Sequence, residues 1–129
     1  MKKYLIGAAL FGATGVLLGA LGAHALEEVL SSESLESFKT GVRYQMFHAL
    51  AILAWIAVSD HIHERMLRLG LQLISWGTVL FSVSIYLLAT RSATGLSGLS
   101  WLGPITPLGG LLLITAWVVL LIGAWKGRA

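Results

Sequence analysis

Four stretches of the chain carry no Asp, Glu, Lys or Arg: Tyr4 to Leu26, Tyr44 to Ser59, Leu69 to Thr90, and Ser92 to Trp125. Spanning roughly 30 Å of hydrocarbon takes about 20 apolar residues in a helix, so the first and third stretches fit directly. The fourth is longer. It opens on Ser92-Ala-Thr-Gly-Leu-Ser-Gly-Leu-Ser-Trp-Leu-Gly-Pro104, a Gly/Ser-rich loop signal, which leaves a span from about residue 105 to 125. The second is short, and reaches spanning length when its helix starts upstream and Lys39 and Arg43 snorkel toward the headgroups. The pattern predicts an all-α fold: a four-helix transmembrane bundle in one domain, with spans at about 4–26, 42–59, 69–90 and 105–125. Between the first two spans, Leu35, Phe38 and Val42 recur at helical spacing beside Glu33, Glu36 and Lys39. They predict a short amphipathic helix on the membrane surface, or an upstream extension of the second span.

The faces of these helices differ. At 100° per residue, Ala8, Gly12, Gly15, Gly19 and Gly22 fall within about 40° of one line, a small-residue stripe that lets helix backbones approach closely. It serves packing within the chain or self-association. Gln72, Ser75, Thr78, Ser82 and Tyr86 fall within about 60° of Ser75 on the third span, as packing glue or as the wall of a polar path. On the fourth, Thr106 reads as an N-cap followed by Pro107, and Gly110, Trp117 and Ala124 share a face that would approach another helix.

Composition sharpens this picture. Of 129 residues, 57% are apolar, nine are Lys or Arg and six are Asp or Glu, and mean hydropathy is +0.83. Soluble domains carry about a quarter charged residues, so much of this surface faces lipid. The cations form no patch that would bind nucleic acid, and the absence of cysteine excludes a disulfide scaffold. Lys2, Lys3, Arg65, Arg68, Lys126 and Arg128 fall on one side of a four-span topology, and Lys39, Arg43 and Arg91 on the other. The excess of basic residues inside predicts cytoplasmic N- and C-termini. Lys2-Lys3 followed by an apolar run and Ala23-His24-Ala25 imitates a secretory signal, but the run exceeds the 7–15 residues of such a core.

Two groups of residues could carry chemistry. Asp60-His61-Ile62-His63-Glu64 has metal-ligand residue types, but in a helix His61 and His63 point about 200° apart. Asp60 reads there as an N-cap, and Glu64 with Arg68 as an i,i+4 ion pair. The topology collects the second group on the outer side: His24, Arg43, Tyr44, Gln45, His48, Tyr86 and Thr106, with Thr90 and Arg91 nearby. Intramembrane histidines mark candidate sites, so this cluster predicts a ligand-binding or conduction site, histidine pegs of a structural kind, or haem or metal ligation by His24 and His48. No Ser/His/Asp set, phosphate loop or intramembrane carboxylate pair supports catalysis. The expectation is a non-enzymatic protein without cofactor or metal, in contact with the bilayer and with a copy of itself or another membrane protein.

Gly22-Ala23-His24-Ala25-Leu26, Val42-Arg43-Tyr44-Gln45-Met46-Phe47-His48-Ala49-Leu50, Ser84-Ile85-Tyr86-Leu87-Leu88-Ala89 and Ile105-Thr106-Pro107-Leu108-Gly109-Gly110 with Trp117 occur in that order. In these segments the chain resembles the domain-of-unknown-function 423 family of small bacterial inner-membrane proteins, related to transmembrane protein 256. Ile85 and Phe38 stand where that family often has Leu and Trp. The resemblance implies a four-span protein of the bacterial inner membrane and no particular activity.

Overall fold

The structure is a computed structural model that describes residues 1–127, so Arg128 of the basic-residue count lies outside the described residues. Among these residues there are four long helices and no strand. Helix α1 covers Lys2–Ala23 and α2 covers Ser32–Ala57. Helix α3 runs unbroken from Glu64–Thr94 through a π-helical segment at Val79–Val83, and α4 covers Ile105–Lys126. Single 3₁₀ turns at Ser59–His61 and Leu99–Leu102 sit in the connections. Three of the helices, α1, α3 and α4, are long and apolar enough to cross a membrane.

The expected surface helix is not a separate element. Ser31 caps α2 by accepting the Ser34 N–H at 3.2 Å, Glu33 sits favourably in the first turn, and the helix continues through Gly41 without a break. Leu35 and Phe38 are buried on the same face as Gln45, His48 and Ile52, so one continuous stripe holds the whole helix against its neighbours. The start of α3 also differs from expectation. Asp60 lies in the 3₁₀ turn, His63 takes the N-cap position, and the His63 N–H donates to the Gly123 carbonyl of α4 at 3.0 Å. Glu64 and Arg68 form the expected ion pair. In α4, Pro104 rather than Thr106 holds the N-cap position. Pro107 then falls in the first turn, where its missing N–H has no helical partner to lose.

The helices associate as two antiparallel pairs, α1 with α2 and α3 with α4, joined where α2 meets α3. Ala8, Ile52, Trp55, Ile62, Leu67, Leu71, Ile74, Leu113 and Ala116 form the apolar core, toward the end where α1 begins. Along α1, Gly22 meets Phe38, Gly19 meets Val42 and Gly15 meets Met46 and Gln45. The small-residue stripe is therefore covered by α2, except at Gly12, where an added Cβ would meet nothing within 4 Å. The buried face of α4 is Gly109, Leu113, Ala116 and Gly123; of the predicted face, Gly110 is half-buried beside the Phe81 ring, Trp117 meets Trp55 of α2 edge-on at 5.1 Å between centroids, and Ala124 is exposed. Because α4 is apolar all round, hydropathy alone could not set its rotation. At Gly109 an added Cβ would lie 2.5 Å from the Phe81 backbone nitrogen, so backbone meets backbone there. Helix α3 ends where Gly95 takes φ of +68°, a left-handed conformation that glycine adopts without strain.

Candidate functional site

The buried side chain with the most hydrogen bonds among the described residues is Gln45. Its Nε2 donates to the Phe11 carbonyl and to Thr14 Oγ1, both at 2.8 Å, and its Oε1 accepts the Tyr86 hydroxyl at 2.7 Å. One amide thus links α1, α2 and α3. Thr14 in turn donates to the Leu10 carbonyl at 2.7 Å. Four residues before Gln45, the Gly41 carbonyl accepts from Ser82 Oγ at 2.8 Å. A Cβ on Gly41 would come within 2.7 Å of the Tyr86 ring, so glycine lets that ring lie along α2 toward the amide. Phe38 contacts the same ring at 4.9 Å between centroids. Side chains of a helix lean toward its N-terminus, which carries the Tyr86 hydroxyl back toward the middle of α3.

Of the seven residues expected in the outer cluster, the structure brings Gln45 and Tyr86 into direct contact. His48 is buried one turn further along α2, where Nδ1 donates to the Tyr44 carbonyl at 2.6 Å. The Tyr44 ring stacks near it at 5.8 Å and lies 4.5 Å from Phe81. Arg43 turns outward to Glu36, at 3.3 Å. Thr106 joins a separate contact, bonding Ser84 of α3 through their hydroxyls at 2.6 Å. His24 is exposed just past the end of α1. With Gly22 opposite Phe38 and Gly15 opposite Met46, His24 and His48 are about 17 Å apart along the helix pair, too far to share one metal ion or haem iron. Among the described residues no group of three or more His, Asp or Glu is placed to hold a metal ion.

The depth of this cluster also differs from expectation. A start near residue 42 would put Gln45 at the outer end of α2, but α2 begins at Ser32. Gln45 therefore meets α1 at Phe11 and Thr14, near the middle of that 22-residue helix. The predicted stripe on α3 divides as well. Ser82 and Tyr86 bond α2, whereas Ser75 and Thr78 donate to the Leu71 and Ile74 carbonyls of their own helix, each at 2.7 Å. Gln72 and Ser75 line a groove of about 780 Å³ on the α1 side, and Thr78, Ser82 and Tyr86 do not. The π-helical segment between them adds residues to one turn, and so rotates the later part of α3 relative to the earlier. Sequence reasoning passed over Thr14 and Gly41, and gave Ser84 and Gly109 no role beyond their place in the family-like segments. Thr14 had one available signal: it is the only Ser or Thr in α1.

An all-helical protein with three apolar helices of membrane-crossing length, polar groups bonded to one another in its interior and lipid-like side chains outside is an integral membrane protein. The chain belongs to the family described as Protein of unknown function (DUF423), whose match covers residues 18–110. It is 38% identical to a UPF0382 membrane protein of Haemophilus influenzae over 99% of this chain and 98% of that one. It is 35% identical to the UPF0382 membrane protein YwdK of Bacillus subtilis, over 98% of each chain. Against the UPF0382 inner membrane protein YgdD of Escherichia coli it is 37% identical, over 93% of this chain and 87% of the relative. No solved structure matches it.

Proposed function

We propose that the chain crosses the inner membrane four times with both termini in the cytoplasm. On this reading it acts as a binding and assembly protein, not as a conduit or an enzyme. The fourth crossing is α2, which lies antiparallel along α1 from Phe38 to Met46 and so shares its depth. The observation that carries the reading is the saturated amide of Gln45, with both Nε2 protons donated and Oε1 accepting. A polar group occupied in this way braces helices and leaves little to offer a passing solute. Recognition then falls to the outer surfaces, where Val16, Leu17, Ile114 and Leu121 are each about 60% exposed or more.

The absence of cysteine makes single-cysteine crosslinking clean. In native membranes, cysteine at Val16, Leu17, Ile114 or Leu121 is expected to give a crosslinked dimer or adduct on one face and not on the others. Monomer at every position would remove the assembly reading. The alternative, a narrow channel or carrier along α3, rests on the hydroxyls of Ser75, Thr78 and Ser82. Solute flux into proteoliposomes that disappears in Ser82→Leu and His48→Ala would favour it over the binding reading.

A further inference from the structure

The groove between α1 and α3 has a chemical gradient along its length. At the end where α1 begins it is lined by Lys3, Tyr4 and Gln72, and beyond them by Phe11, Leu73 and Leu80. A smaller recess of about 260 Å³ continues from Lys3, Tyr4 and Gln72 to Met1, Glu64 and Arg68. Lys3 Nζ sits 4.9 Å from the Tyr4 ring centroid, which anchors the ammonium at the mouth. Lys2, Lys3, Arg65 and Arg68 outnumber Asp60 and Glu64 at this end of the molecule. From Gln72 to Leu80 the lining runs for about 12 Å of helix, within one half of the roughly 30 Å hydrocarbon core of a bilayer, with the Ser75 hydroxyl among its apolar side chains. The groove thus stays within one leaflet, basic at the headgroup level and mainly apolar beyond.

We propose that this groove holds one anionic phospholipid, its phosphate between the Lys3 ammonium and the Gln72 amide and an acyl chain along Phe11, Leu73 and Leu80. Charge selects the headgroup. An anionic lipid such as phosphatidylglycerol brings no ammonium of its own against Lys3, whereas phosphatidylethanolamine does. Gly7 lines the groove, and a Cβ there would meet nothing within 4 Å. A larger side chain at position 7 therefore fills the lipid's place without disturbing the helix contacts. The inference rests on α1 crossing the membrane with its first turn at a headgroup layer, and not on any partner protein.

The test is native mass spectrometry of the full chain in mild detergent, incubated with equal amounts of phosphatidylglycerol and phosphatidylethanolamine of matched acyl chains. The expected result is a single lipid adduct, phosphatidylglycerol over phosphatidylethanolamine by several-fold. Lys3→Glu brings the two to parity, and Gly7→Leu lowers both adducts several-fold. Lys39→Glu, at the other end of the molecule, leaves the preference unchanged. Equal binding of the two lipids to the native chain would overturn the proposal. So would a preference that survives Lys3→Glu, one that Lys39→Glu reduces equally, adducts undiminished by Gly7→Leu, or a chain dimer in place of the adduct. Crosslinked assemblies alongside absent lipid selectivity would sink the groove and leave the assembly reading standing, and monomers with selective lipid adducts the reverse.

Discussion

The two helix pairs hold together by different means. The α1–α2 pair is tied through polar bonds: Gln45 reaches across to Phe11 and Thr14, and the glycines of α1 meet flexible or aromatic side chains of α2. The α3–α4 pair meets backbone to backbone, with Gly109 against Phe81 and Gly77 against Leu113. Two hydrogen bonds accompany that contact, between the Ser84 and Thr106 hydroxyls and from the His63 N–H to the Gly123 carbonyl. In lipid, where apolar surfaces gain little by meeting each other, these are two of the available sources of helix association: hydrogen bonds and close van der Waals packing. Packing without a void tolerates no added volume, whereas a polar tie loses its bonds one at a time.

The contrast is sharpest at Gly109. Gly109→Val places carbon where the Phe81 backbone already lies, so α3 and α4 must separate. A loss of about 3 kcal/mol or more is expected, read as a lowered unfolding midpoint in detergent or bicelles. A native-like midpoint would show that the two backbones can part without penalty. Next comes Gln45→Leu, which removes three hydrogen bonds at about 0.6 kcal/mol each, near 2 kcal/mol in total. Combined with Tyr86→Phe in a double-mutant cycle, it should show coupling of about 0.6 kcal/mol, and strict additivity would mean that the 2.7 Å contact contributes nothing. The smallest effect belongs to Gly12→Ala. With open space at its Cβ it should change stability by less than about 1 kcal/mol, toward stabilisation if either way. A large loss there would put α1 against a neighbour that the single chain does not contain.

Much of this arrangement is legible in the residues themselves. Helices α1, α3 and α4 follow from the charge-free runs, and the small-residue stripe of α1 points to the face that α2 covers. Gln45 and Tyr86 stand out as polar residues within apolar helices. What could not be read was phase and offset. Charges at Glu33, Glu36 and Lys39 left a surface helix and an upstream extension of α2 both open, and starting the span near residue 42 placed Gln45 at the end of α2 and not well inside it. The π-helical segment in α3 includes Phe81, which lies against Gly109, and it changes the phase of the helix, so a uniform 100° projection joined Gln72 to Tyr86 in one stripe. The rotation of α4 depends on which small residues meet Phe81 and Met66, and both neighbours are distant in sequence.

The position of Gln45 in the chain also bears on how the protein enters the membrane as it is synthesised. Both acceptors for its Nε2 protons lie in α1, upstream, and are already made when α2 leaves the ribosome. On the four-crossing reading, a nascent hairpin of α1 and α2 can therefore settle into lipid with those two donors bonded and only Oε1 waiting for Tyr86. Helix α3 is provided for only in part: Ser82 and Tyr86 find acceptors upstream in α2, whereas Gly77 waits for Leu113 and the His63 amide for the Gly123 carbonyl, both in the last helix. The first half can be released to the bilayer early, and the second is best kept at the insertion site until the last helix is complete.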